Sequence, residues 1–245
     1  MFSAEQHRSQ FVRDGFVIVP KLIESAKLAD VQRTIQSDFG DRSTEPTKNL
    51  LPHQLPPSFA PVADTVRTVV DTLLGEAAPL KECRVSVFHP GEAWNSLHVD
   101  GQGRYTEGQR SWRNYCFFRI LVAVYCSDVP GPGHGGLRII PGGHDCVAEW
   151  FRSFAASFFD SSYEVARHEE LYRSFASGMQ FLNPLAHARP MEAGDVLIAH
   201  CLMPHGVDIV SGTEPRRGLY LRFGDPVFTD YRQLSDPWAG WQLQK

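Results

Sequence analysis

The chain is short of paired cysteines, of positive charge and of long apolar runs, and each shortage closes off a class of function. It carries five cysteines, Cys83, Cys116, Cys126, Cys146 and Cys201. The number is odd and no two form a CxxC pair, so neither a disulfide framework nor a zinc knuckle is indicated, and reduced thiols are expected. Lysine and arginine total 24 against 28 acidic residues, for a net charge of -4. A nucleic-acid binder normally shows the opposite excess. No apolar run approaches the roughly 20 residues that cross a bilayer. The first ten residues, MFSAEQHRSQ, are polar and carry no signal-like apolar stretch, which leads us to expect a cytoplasmic protein. Repeats and low-complexity linkers are also lacking.

What is present is a hydrophobic fraction of 42% in 245 residues, enough for a sizeable core. The chain reads as one domain, 1–245, in three parts. A helical amino-terminal part runs to about residue 80. A β core follows over about 81–225, with a helical insert at about 146–177. Gly15 to Pro20 (GFVIVP) predicts a strand. Ser25 could cap a helix that places Leu28, Val31, Ile35 and Phe39 on one face. A loop is expected from Asp41 to Pro57. A second amphipathic helix from Ala60 to Leu74 turns Val62, Val66, Val69 and Leu73 inward. Five apolar runs then read as strands: Cys83 to Phe88, Phe117 to Tyr125, Leu137 to Ile140, Asp195 to Ala199 and Gly218 to Phe223. Turn-rich tetrads such as HPGE, PGGH and EAGD divide them. Helices first and many short strands afterwards predict a mainly β fold, a barrel or jelly roll with packed amino-terminal and inserted α-helices.

The sharpest chemical feature is Leu97-His98-Val99-Asp100-Gly101. Side chains two apart in an extended segment share a face, so His98 and Asp100 can reach one metal ion together. A second histidine would complete the two-histidine, one-carboxylate facial set of non-haem iron(II) oxygenases, which leaves open positions for a cosubstrate and oxygen. A bland alternative is a polar turn with His98 hydrogen-bonded and Asp100 capping a neighbour. Downstream, Gly194 to His200 (GDVLIAH), Met203 to Gly206 (MPHG) and Pro215 to Tyr220 (PRRGLY) supply two further histidines and two arginines. An arginine fork pairs bidentately with a carboxylate better than lysine does. Adjacent strand residues face opposite ways, so only one of Arg216 and Arg217 can point inward.

With these blocks the sequence resembles the phytanoyl-CoA dioxygenase family. The resemblance rests on four blocks in order: DGFVIVP at Asp14, HVD at His98, GGLRIIPGGH at Gly135, and GDVLIAH with HG and PRR between Gly194 and Arg217. It implies a double-stranded β-helix of cupin type. It also implies iron(II) held by His98, Asp100 and His205, and 2-oxoglutarate gripped at its far carboxylate by Arg216. His200 is then a strand-end residue. His144 and His134 are read as turn residues. The reaction implied consumes oxygen and 2-oxoglutarate, releases succinate and carbon dioxide, and hydroxylates or otherwise oxidises a C–H bond. The carboxylate of Asp100 argues against halogenation. The sequence departs from the family at Val85 and Val87, the positions aligned with a polar cosubstrate contact, and at Val207.

The partner expected is a small-molecule metabolite or natural-product intermediate, with no nucleic acid and no membrane, for a monomer or homodimer. The family's acyl-CoA substrate is not carried over, because no basic groove for a nucleotide phosphate is evident. Candidate substrate contacts are Trp94, Arg104, Trp112 and Arg119. Residues 101–115 read either as a lid or as a solvated loop, and Arg119 either as a substrate contact or as half of an internal salt bridge. The segment DPWAGWQ at Asp236 could cover the barrel mouth or join two copies. Two competing functions are a cupin-type divalent-metal hydrolase or isomerase and a non-catalytic binding protein on the same fold.

Overall fold

The computed structural model describes residues 3–40, 47–100, 118–155, 165–225 and 231–241. Helix α1 (Ala4–Asp14) leads into β1 (Phe16–Val19), α2 (Ser25–Phe39), β2 (Thr47–Leu50) and α3 (Ala60–Leu74). The strands β3 (Leu80–Phe88), β4 (Trp94–His98), β5 (Ile120–Tyr125) and β6 (Leu137–Ile139) follow. Helices α4 (Gly143–Trp150) and α5 (Val165–Leu182) form the insert, and β7 (His187–Ala188), β8 (Val196–His200), β9 (His205–Val207) and β10 (Arg216–Phe223) complete the set.

The strands make two sheets, a six-stranded one in the order β1-β8-β5-β10-β3-β2 and a four-stranded one in the order β4-β9-β6-β7. Every pairing is antiparallel. This is the double-stranded β-helix with packed helices. From β3 onward the chain passes from one sheet to the other between successive strands, except from β6 to β7, which brings distant segments side by side.

The large sheet is buried on both faces, which explains why its strands read as continuous apolar runs rather than alternating ones. Leu121, Ala123, Tyr125, Leu197, Ala199 and Tyr220 face the small sheet and join the inter-sheet core. Val122, Val124, Val196, Ile198, Leu219 and Leu221 face the other way and pack under the helices. Helices α2 and α3 close that second core with the residues their 3.6-residue spacing selects: Leu28, Val31, Ile35 and Phe39 from one, Val62, Val66, Val69 and Leu73 from the other.

Several expectations are corrected. The helical amino-terminal part includes a helix that apolar spacing did not mark, Ala4–Asp14, which buries only Phe11. Its Arg8 donates to the carbonyls of Thr72 and Leu73 at the end of α3, where helix carbonyls lack partners. Ser25 is the first helical residue, not the cap, and the capping position is Glu24 with no side-chain cap bond. The expected loop from Asp41 to Pro57 contains the edge strand β2, paired with β3. The insert's second helix extends to Leu182. Among the described residues no helix is long and apolar enough to cross a membrane.

Candidate metal centre

Strands β4 and β9 bring the candidate ligands His98 and His205 together. They pair antiparallel with His98 directly opposite His205. Close approach depends on Gly206, where a Cβ would lie 2.9 Å from the carbonyl oxygen of Trp94 and 3.2 Å from that of Ser96. The imidazole centroids are 4.4 Å apart. Asp100, two residues past His98, turns into the same space. Its Oδ1 lies 4.0 Å from His98 Nε2 and 3.8 Å from His205 Nε2. The three side chains each offer a ligand atom within 4.8 Å of the others, and no other such group of three occurs among the described residues.

The donors are set for a metal. His98 Nδ1 lies 3.3 Å from the carbonyl of Ser96 and His205 Nδ1 2.9 Å from that of Met203. A proton on each Nδ1 satisfies those carbonyls and leaves each Nε2 with its lone pair facing the third ligand. Burial lowers the pKa of both rings. For His205 the value falls to about 4, with His98 adding to the shift and Asp100 opposing it. Both therefore stand neutral near pH 7, the form that ligates.

Asp100 is held differently. Arg222, on β10, donates from Nε and Nη2 to Asp100 Oδ2 at 2.8 and 2.7 Å, and from Nη1 to Glu82 Oε1 at 2.6 Å. All three residues are buried. The fork uses one oxygen of Asp100 and leaves Oδ1 for a metal. Burial alone would raise the Asp100 carboxyl, but Arg222 and the two histidines outweigh it and keep it well below the ordinary carboxylate range. Neutral imidazole nitrogens and one carboxylate oxygen, with open positions beyond them, suit iron(II).

A second feature lies deeper between the sheets. Arg216 is 2% exposed, and none of its guanidinium nitrogens has a hydrogen-bond partner among the described residues. It lies over Gly218, where a Cβ would stand 3.1 Å from Nη1. Gly218 is flanked across the sheet by Ser86 on β3 and Tyr125 on β5. The guanidinium carbon is 5.1 Å from the centroid of the Tyr125 ring and 5.2 Å from that of Tyr220. The hydroxyls of Ser86 and Tyr220 are buried and equally unpartnered, while Tyr125 Oη accepts from Leu137 N at 3.2 Å. A buried cation that meets two tyrosine rings but no hydrogen-bond acceptor among the described residues is costly unless an anion joins it. Arg217 points the other way, toward Gln36 on α2.

The remaining candidates divide. Trp94 is 41% exposed and stacks on His98, with centroids 5.3 Å apart and planes at 25°. Arg119 is corrected: it is ion-paired to Glu76 and donates to the Asp225 carbonyl, so its charge is already met and it does not line the pocket beside His98. Arg104, Trp112 and the whole stretch 101–115 lie outside the described residues. Val85 and Val87 are also corrected. They face the helices, whereas Arg84, Ser86 and Phe88 line the pocket, so the polar positions of this strand are one residue away from those aligned.

His200 is buried, accepts from Leu202 N through Nδ1, and meets the Pro237 carbonyl through Nε2. Both nitrogens are committed, and the ring is no ligand. His144, read as a turn residue, lies instead in the first turn of α4, buried and packed edge-on against Trp238. Trp238 and Trp241 press the carboxy-terminal segment onto Phe11 and His200 rather than onto the metal ligands.

Sequence reasoning missed Arg222, Glu82, Arg84, Ser86, Tyr125 and Tyr220. A signal for two of them existed: if Arg216 faces inward, so must Tyr220 and Arg222 on the same strand.

No family model matches this chain, and no curated protein matches it. Solved structures do resemble it. The non-heme alpha ketoglutarate dependent carbocyclase SnoK from nogalamycin biosynthesis aligns with a TM-score of 0.64 and 15% identity over 91% of this chain and 86% of that one. The epimerase SnoN from the same biosynthesis gives 0.61 and 16% over 91% and 80%. HygX from Streptomyces hygroscopicus, solved with nickel and 2-oxoglutarate, gives 0.60 and 18% over 90% and 86%. At these identities the likeness establishes the fold, and the chemistry has to be argued from this chain's own residues.

Proposed function

We propose that this chain is an iron(II)- and 2-oxoglutarate-dependent oxygenase of the phytanoyl-CoA dioxygenase type, oxidising a C–H bond of a small molecule with release of succinate and carbon dioxide. The observation that carries the reading is the pairing of two unmet demands, linked through Tyr220, which lines the pocket beside His98 and lies against Arg216. One is a facial set of three donors with free lone pairs. The other is a buried, unpartnered guanidinium beyond it. A 2-oxo diacid answers both, with its oxo-acid end at the metal and its far carboxylate at Arg216. A zinc hydrolase would leave Arg216 without a task.

Iron(II), when bound, supplies the activation of oxygen; the protein supplies geometry and shelter. His98 and His205 offer Nε2, and Arg222 fixes the carboxylate of Asp100. Arg216 receives the distal carboxylate, with the hydroxyls of Ser86 and Tyr220 at hand to share it. Leu121, Leu137 and Val207 line the pocket with apolar surface. Trp94 forms an outer wall. Hydroxylation is the default outcome of this reading. Epimerisation and carbocyclisation are in the names of SnoN and SnoK and belong to those proteins.

The test is iron-dependent turnover of 2-oxoglutarate without added substrate. Slow succinate release that requires Fe(II) is expected in the native chain. His98→Ala should abolish it, and Arg216→Ala should raise the 2-oxoglutarate requirement about 100-fold, the loss of a charge-assisted bidentate contact of roughly 3 kcal/mol. No succinate from iron-loaded protein would overturn the reading.

A further inference from the structure

One cation in the pocket remains unanswered after the metal and cosubstrate are placed. Arg84 sits on the inner face of β3 between Glu82 and Ser86, and lines the same pocket as His98 and Trp94. Its Nε donates to Asn49 Oδ1 on β2 at 2.7 Å. Among the described residues it makes no ion pair, because the two carboxylates within its electrostatic reach, Glu82 and Asp100, are both held by Arg222. Burial and the like charge of Arg222 both act against the Arg84 cation.

Charge accounting sharpens the point. Among the described residues the site holds three guanidiniums, of Arg84, Arg216 and Arg222, and two carboxylates, of Glu82 and Asp100. A divalent cation and a doubly charged 2-oxo diacid cancel each other. One positive charge is left over, and it belongs to the arginine at the half-open side. A substrate that closes the pocket removes water from that guanidinium, which is costly unless the substrate brings an anion. On the lining of the same pocket, Trp94 lies stacked on His98 with 41% of its surface still exposed. A flat, exposed indole and a guanidinium that makes no ion pair among the described residues, lining one pocket, offer a ring-binding wall and an acid-binding corner.

We infer that the oxidised substrate is a small molecule with an acidic group, carboxylate or phosphate, held by Arg84, and a flat body laid against Trp94. The inference rests on the proposed oxygenase reading and adds the substrate's class to it. Arg84 acts as a specificity residue. Its two Nη groups match a carboxylate or phosphate bidentately.

Protein loaded with Mn(II) and saturated with 2-oxoglutarate permits the test, by paramagnetic relaxation of the protons of three probes: benzoate, phenyl phosphate and neutral benzamide. At least one acid should relax several-fold faster than benzamide. Arg84→Gln should bring it down to the benzamide level, Arg84→Lys should restore part of the difference, and 2-oxoglutarate affinity should stay within about twofold in both. Trp94→Ala should slow the relaxation of all three. Equal relaxation of acid and amide in the native chain, or acid relaxation unchanged in Arg84→Gln, overturns the inference. So does a large loss of 2-oxoglutarate affinity in Arg84→Gln, which would move Arg84 to the cosubstrate. Failure of the native chain to bind Mn(II) with 2-oxoglutarate overturns the underlying reading itself and takes the inference with it.

Discussion

Arg222 does for Asp100 what a backbone carbonyl does for each of His98 and His205: it uses up the atom that a metal would not need. Its bonds to Asp100 and Glu82 are fully buried. Removing one member of such a group strands the others without water, at a cost of about 3–5 kcal/mol. Arg222→Met should therefore lower the urea midpoint substantially. In Arg222→Lys, which keeps the charge but not the fork, metal affinity should fall about 10–100-fold, as is usual when an outer partner of a ligand is lost. Calorimetric titration with Ni(II) measures this. An unchanged affinity would show that the carboxylate is oriented by something else. Gly218→Ala places a methyl 3.1 Å from Arg216 Nη1 and should weaken 2-oxoglutarate binding about tenfold, roughly 1.4 kcal/mol, with metal affinity intact. The clustering of His98 and Asp100 was legible because HxD spacing and strand geometry act locally. Arg222 was not, since its partner Asp100 lies 122 positions away and no local pattern records the pairing.

At the scale of elements, legibility followed apolar periodicity. Helices α2 and α3 each carry the expected inward stripe, and α3 matched its expected extent, Ala60 to Leu74. Helix α1 escaped because its one buried side chain is Phe11, too little for a period, and it is fixed instead by Arg8 on the end of α3 and by Trp238 and Trp241. Strand β2 escaped because TKNL is a polar edge with one buried residue. The one-residue misplacement on β3 has a physical cause as well. Both of its faces are buried, so apolar Val85 and Val87 mark the helix side and do not mark the site side. Because the helices meet the large sheet on the face away from the metal, Leu73→Ala should cost about 2–5 kcal/mol of stability while leaving 2-oxoglutarate affinity unchanged in the folded protein. Denaturant titration and ligand titration of the same variant separate the two. A loss of affinity matching the loss of stability would show that the two cores are not independent.

At the scale of the whole molecule, two cores share one sheet, and the seam at the β8 end is closed by an aromatic group around His144, His200, Trp238 and Trp241. Burial, with help from His200, pushes His144 down to about 3 from its ordinary 6.5. Below pH 6.5 the unfolded chain takes up this proton and the folded chain does not. The ring's neutral burial therefore contributes fully above that pH and is lost progressively as pH falls toward 3. Urea midpoints should decline over that window, and His144→Phe should flatten the decline relative to the native chain. An identical slope in the variant would mean that His144 takes up its proton while folded.

The central claim, that His98, Asp100 and His205 hold iron(II) while Arg216 holds the far end of 2-oxoglutarate, is tested most directly by anaerobic reconstitution. Fe(II) and 2-oxoglutarate are added to the native chain and to His98→Ala and Arg216→Ala, and the weak visible charge-transfer band of the chelate is recorded. The account predicts a band in the native chain, none in His98→Ala, and one in Arg216→Ala only at far higher 2-oxoglutarate. A native chain that is folded and iron-loaded yet shows no band, or an Arg216→Ala variant that titrates like the native chain, would contradict it.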